Sequence, residues 1–402
     1  MLLVGVDDTD SRLGGCTTVF ADLLARELGL PPAAPPRLVR LNPNVPWKTR
    51  GNGAVALAFD ATMPLPRALA LAKRVVERHA ERAEGTSPGL VVSEAPLPAG
   101  LYDAAVSRIV EREEADAAVA EAGALAWGGR GVIGAAAALA WPARRATWER
   151  IAHREPARIG APRAIDPARV RAVEERYHSL FDTYDLVEDD VVCVPASPCP
   201  VLWGLRGDDP QEAEAAAREM GPERPARETL FLTNQGTDDH LRDGTCASAR
   251  AYASLRVRGR VAARPVERNG HVWVEMEDEG GSLRAAAYAP TRSFRALVRA
   301  LVPGDDITAC GGLHEGPDGR LTLGVEKLRL HATAPRKARN PSCPSCGRAM
   351  KSAGHGAGYR CRPCGTRAAE PLTKDAGLRL GWHEVPASAR RHLAMPLKRG
   401  VA

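Results

Sequence analysis

The chain opens on a short apolar run, Leu2-Leu3-Val4-Gly5-Val6, that ends in Asp7 and Asp8. A run this short, closed by a polar glycine-containing turn, is the pattern of a buried strand. Val19, Phe20, Leu23, Leu24 and Leu28 then recur at helical spacing, and Gly29 with Pro31 and Pro32 stops the helix. Residues 31–36 form a proline-rich loop. Residues 55–59 read as a strand, 65–83 as a second helix, and 104–122 as an Ala- and Glu-rich helix. Strand–helix alternation at this density predicts an α/β domain over residues 1–125. Residues 126–250 continue the alternation, with an apolar run at 132–141, helical periodicity at 167–180 and 211–220, and strand-like runs at 191–194, 201–205 and 229–233. Pieces of this size suit a small ferredoxin-like domain. The period changes near residue 251. Five short alternating strands follow (253–261, 271–277, 283–288, 306–311 and 321–330), with a single helix at 291–301 between the third and fourth. That order predicts an OB-fold barrel over 251–333. A basic, Pro-containing linker (334–342) leads into a cysteine module and tail, which complete a fourth unit over 334–402.

Composition adds constraints to this multidomain α/β and α+β reading. The 402 residues suit two or three domains. Aromatics are only 4% of the chain, so the cores must be built from Ala, Leu and Val. Seven lysines stand against 48 arginines, a compositional bias more than a functional signal. The net charge of +6 is unevenly spread: residues 331–402 hold 14 Lys and Arg against 3 Asp and Glu, a balance of +11 that leaves −5 for the rest. A basic end on a slightly acidic body predicts a polyanionic partner. No apolar run approaches the roughly 20 residues of a membrane helix, and the N-terminus lacks the basic start of a signal peptide. Four of the nine cysteines fall in two C-x-x-C pairs, which suits a reducing compartment and a metal rather than a disulfide framework. The expectation is a cytoplasmic protein without membrane contact.

Those pairs, Cys343-Pro-Ser-Cys346 and Cys361-Arg-Pro-Cys364, are separated by fourteen residues. Two such knuckles present four thiolates to a tetrahedral Zn²⁺, with Gly347 and Gly365 directly after each pair. An iron–sulfur centre or a redox pair are the other uses of this pattern. A closed four-cysteine site has no open position for chemistry. The N-terminal constellation is different in kind: Asp7, Asp8 and Asp10, then Gly14, Gly15, Thr17 and Thr18. Hard oxygen donors at the end of a buried strand suit Mg²⁺ with a phosphate, and the turn opening the helix offers free N–H groups to anionic oxygens. It is not a Walker A loop. The plain structural alternative is an Asx turn with Thr17 as an N-cap. Residues 42–53 (Asn-Pro-Asn-Val-Pro-Trp-Lys-Thr-Arg-Gly-Asn-Gly) bring Lys48 and Arg50, which suit phosphates opposite the acids. Residues 129–134 match G-x-G-x-x-G without a clean preceding strand, so a tight turn carrying Arg130 toward a ligand is preferred to a dinucleotide site. Residues 233–240 gather Asn234, Gln235, Asp238, Asp239 and His240 after another strand. Cys193 and Cys310 have no assigned role.

These motifs, together with Cys199-Pro-Val-Leu-Trp-Gly204 and the tail at residues 383–393, resemble archaeal tRNA agmatinylcytidine synthetases over essentially the whole chain. The resemblance implies an ATP-dependent ligase with a kinase-like N-terminal domain. Such an enzyme replaces the 2-keto oxygen of the wobble cytidine of isoleucine tRNA (anticodon CAU) with agmatine, so that AUA is read. It also implies cleavage of ATP to AMP, phosphorylation of Thr18, and activation of the cytosine carbonyl by a γ-phosphate. In that reading Thr18, Asp7, Asp8 and Asp10 are catalytic. Gly14, Gly15, Thr17, Lys48 and Arg50 bind ATP, and the three aspartates hold Mg²⁺. Agmatine is cationic, so Asn234, Gln235, Asp238 and Asp239 are pocket candidates by composition. ATP, Mg²⁺ and Zn²⁺ are the expected cofactors, with no obligate protein partner. Two other readings compete: a non-catalytic single-strand-binding protein, which needs only the barrel and ribbon, and a small-molecule kinase, which leaves the basic C-terminal end unexplained.

Overall fold

The computed structural model describes residues 1–400 except 82, 84, 317, 335–339, 355–356 and 369–377. The centre of the expected linker and part of the cysteine module therefore lie outside the described residues.

Nine strands form one twisted sheet, in the order Leu125–Gly128, Gly89–Ser93, Leu2–Asp7, Gly53–Phe59, Arg37–Arg40, Arg227–Thr233, Thr147–His153, Val201–Gly207 and Leu180–Phe181. The sheet crosses residue 125 without a break. Its two halves meet in the parallel pairing of Leu232 with Arg37 and Thr233 with Leu38. Every other neighbouring pair in it is antiparallel. Helices Phe20–Leu28 and Leu65–His79 cover one face of the first half. Ala99–Ser107, Arg112–Glu121 and Gly131–Ala140 cover the other.

The apolar run expected at 132–141 is helix Gly131–Ala140, and it is buried on nearly every side. It packs on strand Leu2–Asp7 so closely that a Cβ on Gly5 would sit 2.4 Å from the Ala135 carbonyl oxygen. The glycines of the G-x-G-x-x-G stretch serve this approach. A Cβ on Gly131 would meet the Gly89 nitrogen at 2.5 Å. The single helix expected at 104–122 is two, because Arg108 is extended and the chain restarts with a capping box between Glu111 and Glu114.

Strands Ser254–Val261, Asp306–Glu315, Leu321–Ala332, Gly281–Ala287 and His271–Asp278 close into a five-stranded barrel, sealed by the pairing of the first with the last. Helix Phe294–Arg299 lies between its third and fourth strands in sequence, as the alternation predicts. The cysteine module is three two-residue strands around Cys343, Met350 and Cys361. Strand Gly381–Glu384 adds to the barrel edge, pairing His383 with Leu328. The chain then crosses onto the nine-stranded sheet. There Arg390 pairs with Asp182 while also reaching back to Glu384 of the barrel-edge strand, Lys398 pairs with Glu174, and Arg399 with Asp208. Three cations of the basic tail are thus matched internally, which the charge count alone reads as free for a partner. No helix among the described residues is long and apolar enough to cross a membrane.

Candidate functional site

A cavity of about 350 Å³ opens where strand Leu2–Asp7 ends. Its walls come from both halves of the sheet, the 45–53 loop and the start of helix Gly131–Ala140. Asp7, Asp8, Asp10, Thr17, Thr18, Lys48 and Arg50 all line it. The structure therefore brings together, from two separate segments of the chain, the residues expected to bind metal and phosphate other than Gly14 and Gly15.

The acids are held by cations already present. Asp8 has a left-handed backbone (φ 55°), and its carboxylate accepts from Arg130 at 3.2 Å. Arg130 also stacks over Trp47, 5.7 Å from the ring centre, so the turn at 129–131 does carry this arginine to the cavity. Asp10 is ion-paired with Arg50, which also donates to the Gly15 carbonyl at 2.6 Å. Arg50 thus braces the acid loop. Asp7 has no ion pair among the described residues; burial, with Asp8 adding repulsion, pushes its carboxyl up to about 8. The three aspartates do not converge as a ligand set. Among the described residues, the group whose ligand atoms lie mutually within 4.8 Å is Cys343, Cys346, Cys361 and Cys364. That cluster is the zinc site of the ribbon. Lys48 is half-buried with no carboxylate partner among the described residues, and burial lowers its ammonium below the ordinary lysine range.

Gly14 and Gly15 stand behind the wall, where Ser11 donates to the Gly14 carbonyl at 3.0 Å. Thr17–Val19 is a 3₁₀ turn with Cys16, not Thr17, at the N-cap position. Thr17 accepts instead from the Thr9 hydroxyl at 3.0 Å. Thr18 is 5% exposed, and its hydroxyl lies 2.9 Å from His153 Nε2.

Asn234, Gln235, Asp238 and Asp239 lie outside the cavity wall, and each is engaged within the protein, although Gln235 Oε1 is buried without a hydrogen-bond partner. Asn234 bonds both backbone groups of Arg40, at 2.7 and 2.8 Å. Gln235 donates to Glu149. Asp238 is ion-paired with Lys327 and accepts from the Met395 backbone at 2.7 Å. Asp239 accepts from the Tyr102 hydroxyl at 2.6 Å. His240 is buried against Glu326 at 2.6 Å.

Composition passed over four residues that complete the site. Glu149 lines the cavity floor between Arg206 (3.1 Å) and Arg40 (3.6 Å). Gly204 leaves room for it, since a Cβ there would lie 2.7 Å from Glu149 Oε1. His392 arrives from the tail, and a Cβ on Gly51 would sit 2.8 Å from its Nε2. Burial, with Arg40 and Arg206 nearby, keeps that imidazole neutral.

Family models for a TiaS TCKD domain match residues 3–64, a TiaS FLD domain residues 129–240, and a TiaS C-terminal zinc ribbon domain residues 340–376. The isoleucine-tRNA 2-agmatinylcytidine synthetase TiaS of Methanosarcina mazei is 39% identical over 99% of this chain and 97% of its own. The crystal structure of TiaS in complex with isoleucine tRNA and ATP superposes with a TM-score of 0.86 at 36% identity, covering 100% of this chain and 98% of that one. A complex of TiaS with isoleucine tRNA, AMPCPP and agmatine gives 0.83 at 33% identity, over 99% and 97%. Matched to these proteins from end to end in both sequence and fold, the chain belongs to the isoleucine-tRNA 2-agmatinylcytidine synthetase family.

Proposed function

We propose that this protein is an ATP-dependent ligase that joins agmatine to the 2-carbon of the wobble cytidine in the CAU anticodon of isoleucine tRNA, making agmatidine. A ring carbonyl oxygen is a poor leaving group. Phosphorylation turns it into phosphate, and the amine of agmatine then displaces it at carbon. Phosphoryl transfer needs positioning and charge neutralisation more than covalent chemistry. The observation that carries the reading is one cavity in which Thr18, three aspartates, Lys48, Arg50 and Arg130 meet.

In this reading the first half of the sheet is the kinase-like domain and the second the ferredoxin-like domain, with the barrel an OB fold. Thr18 accepts a phosphoryl group, and Lys48, Arg50 and Arg130 hold the phosphates. The three aspartates are not a closed ligand set, but Mg²⁺ is usually held by one or two carboxylates plus substrate phosphates. Asp7, whose carboxyl has no ion pair among the described residues, would supply one ligand and the nucleotide the others. The ion would offset phosphate charge there. Asn234 and Gln235 shape the substrate pocket through Arg40 and Glu149, while Asp238 and Asp239 brace it through the tail and Tyr102.

The target base must leave its stack to be reached. The barrel carries an aromatic group that suits the neighbouring nucleotides. Trp273 and Tyr288 meet at 5.8 Å, and Arg284 lies 5.0 Å over Trp273. Thr18→Ala tests the reading. It should bind the tRNA with unchanged affinity and salt slope while forming no agmatidine. Wild-type turnover by that variant would refute the assignment.

A further inference from the structure

Thr18 does not stand alone in the cavity wall. Its hydroxyl oxygen lies 3.0 Å from Cys16 Sγ on one side and 2.9 Å from His153 Nε2 on the other. His153 ends strand Thr147–His153 in the second half of the sheet and is 2% exposed, directly behind the wall. Its other ring nitrogen, Nδ1, is buried with no hydrogen-bond partner. A histidine held in so dry a place, spending its one hydrogen bond on a single hydroxyl, is costly to fold around.

Chemistry sets the direction of the chain of bonds. Burial pushes the Cys16 thiol up to about 11, so it keeps its proton and has one to give to Thr18 Oγ, 3.0 Å away. The Thr18 proton is then free to point at His153. Burial, with the positive charge of Arg227, brings that imidazole down to about 3, so the ring is neutral and holds a lone pair. Thr17 does not compete, because its hydroxyl is engaged by Thr9.

We propose that His153 is the proton acceptor for Thr18 and that Cys16 orients the hydroxyl toward it. The inference rests on Thr18 being the phosphoryl acceptor. The Oγ–P bond forms as the bond from that phosphorus to the bridging oxygen of ATP breaks. The oxygen bridging the β- and γ-phosphates keeps the electron pair and leaves with the β-phosphate, and the Oγ proton passes to Nε2. AMP arises from the separate cleavage between the α- and β-phosphates. A weak base suffices, because in a loose transition state the hydroxyl proton becomes acidic only as the new bond forms; protein kinases use an aspartate in this place. The product sets a phosphothreonine dianion beside an imidazolium, which holds the phosphoryl group in place until it is passed on.

His153→Gln separates this role from a structural one, since its amide reaches the position of Nε2 and hydrogen-bonds there but takes no proton. Above neutral pH, where the His153 ring is neutral in both folded and unfolded chain, melting temperature and AMPCPP binding should match wild type. Formation of phospho-Thr18 on mixing with ATP, followed by peptide mass spectrometry, should slow about 10²–10⁴-fold, the usual worth of a general base. Phosphorylation within threefold of wild type would overturn the proposal. If wild type itself carries no phosphate on Thr18, the acceptor reading fails first, and this inference with it. Should the variant not fold, ¹⁵N-histidine NMR of the wild-type protein decides: His153 should pass from neutral ring to imidazolium when Thr18 is phosphorylated. A ring that stays neutral would overturn it.

Discussion

Gly134→Ala sets two known effects against each other. Gly134 lies in the first turn of helix Gly131–Ala140, where alanine ordinarily stabilises by about 1 kcal/mol over glycine. Here a Cβ would fall 1.8 Å from Asp7 Oδ2 and 2.7 Å from its Cγ. The methyl cannot be accommodated unless Asp7 turns away or the helix lifts. Lifting is opposed by the backbone contacts at Gly89 and Gly131, which leave no room for even a methyl group. Overpacking of this kind costs about 1–3 kcal/mol. The net change is a loss of up to about 2 kcal/mol, or a fall of roughly 2–4 °C per kcal/mol for a unit of 150–250 residues. Displacing Asp7 should also cut ATP cleavage, because that carboxylate lines the cavity. Gly100→Ala is the control. It too sits in the first turn of a helix, nothing lies within 4 Å of its Cβ position, and the change should stabilise slightly and leave activity alone. A Gly134→Ala protein that melts higher than wild type and cleaves ATP at the same rate would refute the reasoning.

Three further outcomes follow from the same structure. Cys361→Ser should lose about one equivalent of zinc by metal analysis and unfold the ribbon alone, because so small a core depends on its metal; full zinc would contradict this. Arg390→Ala removes the partner of Asp182, and both side chains are buried. Breaking a buried pair costs about 3–5 kcal/mol, so amides across 381–400 should exchange faster while the barrel stays protected. Acid stability should also carry the mark of His153. The unfolded chain takes a proton below about pH 6.5, while the folded ring refuses it until about 3. Stability therefore rises with pH across that window, by up to about 1.4 kcal/mol per unit. His153→Gln should flatten the slope by that amount, as urea unfolding at pH 4, 5 and 6 would measure.

What the sequence made legible was local. The strand ending in Asp7, the glycine–threonine turn, the barrel order and the cysteine spacing all depend on residues near one another, and each formed close to where the pattern placed it. Strand Thr147–His153 was missed for a physical reason. It alternates Thr147, Glu149 and His153 with only Ile151 among them into buried positions, so its inward face is mostly polar and the apolar period disappears. Of these, Glu149 and His153 are the ones that serve the site. Three cations of the tail pair within the chain, which charge counting cannot see: the acids that meet Arg399, Arg390 and Lys398 lie 191, 208 and 224 residues earlier. Asn234 and Asp238 suit a cationic ligand by composition; in the structure Asn234 bonds the Arg40 backbone and Asp238 pairs with Lys327, partners that lie too far along the chain for the sequence to reveal. The G-x-G-x-x-G stretch was legible as glycine but not as packing, since the opposing atoms come from residues 7, 87 and 89.

The central claim is that this cavity activates a tRNA base for attack by agmatine. Incubating the purified protein with ATP, Mg²⁺, agmatine and a CAU-anticodon isoleucine tRNA transcript, then digesting the tRNA and weighing its nucleosides, tests that claim most directly. The account predicts agmatidine in place of the wobble cytidine, with AMP formed in step and neither product when agmatine or the tRNA is left out. An unmodified cytidine, or AMP released at the same rate without the tRNA, would contradict it.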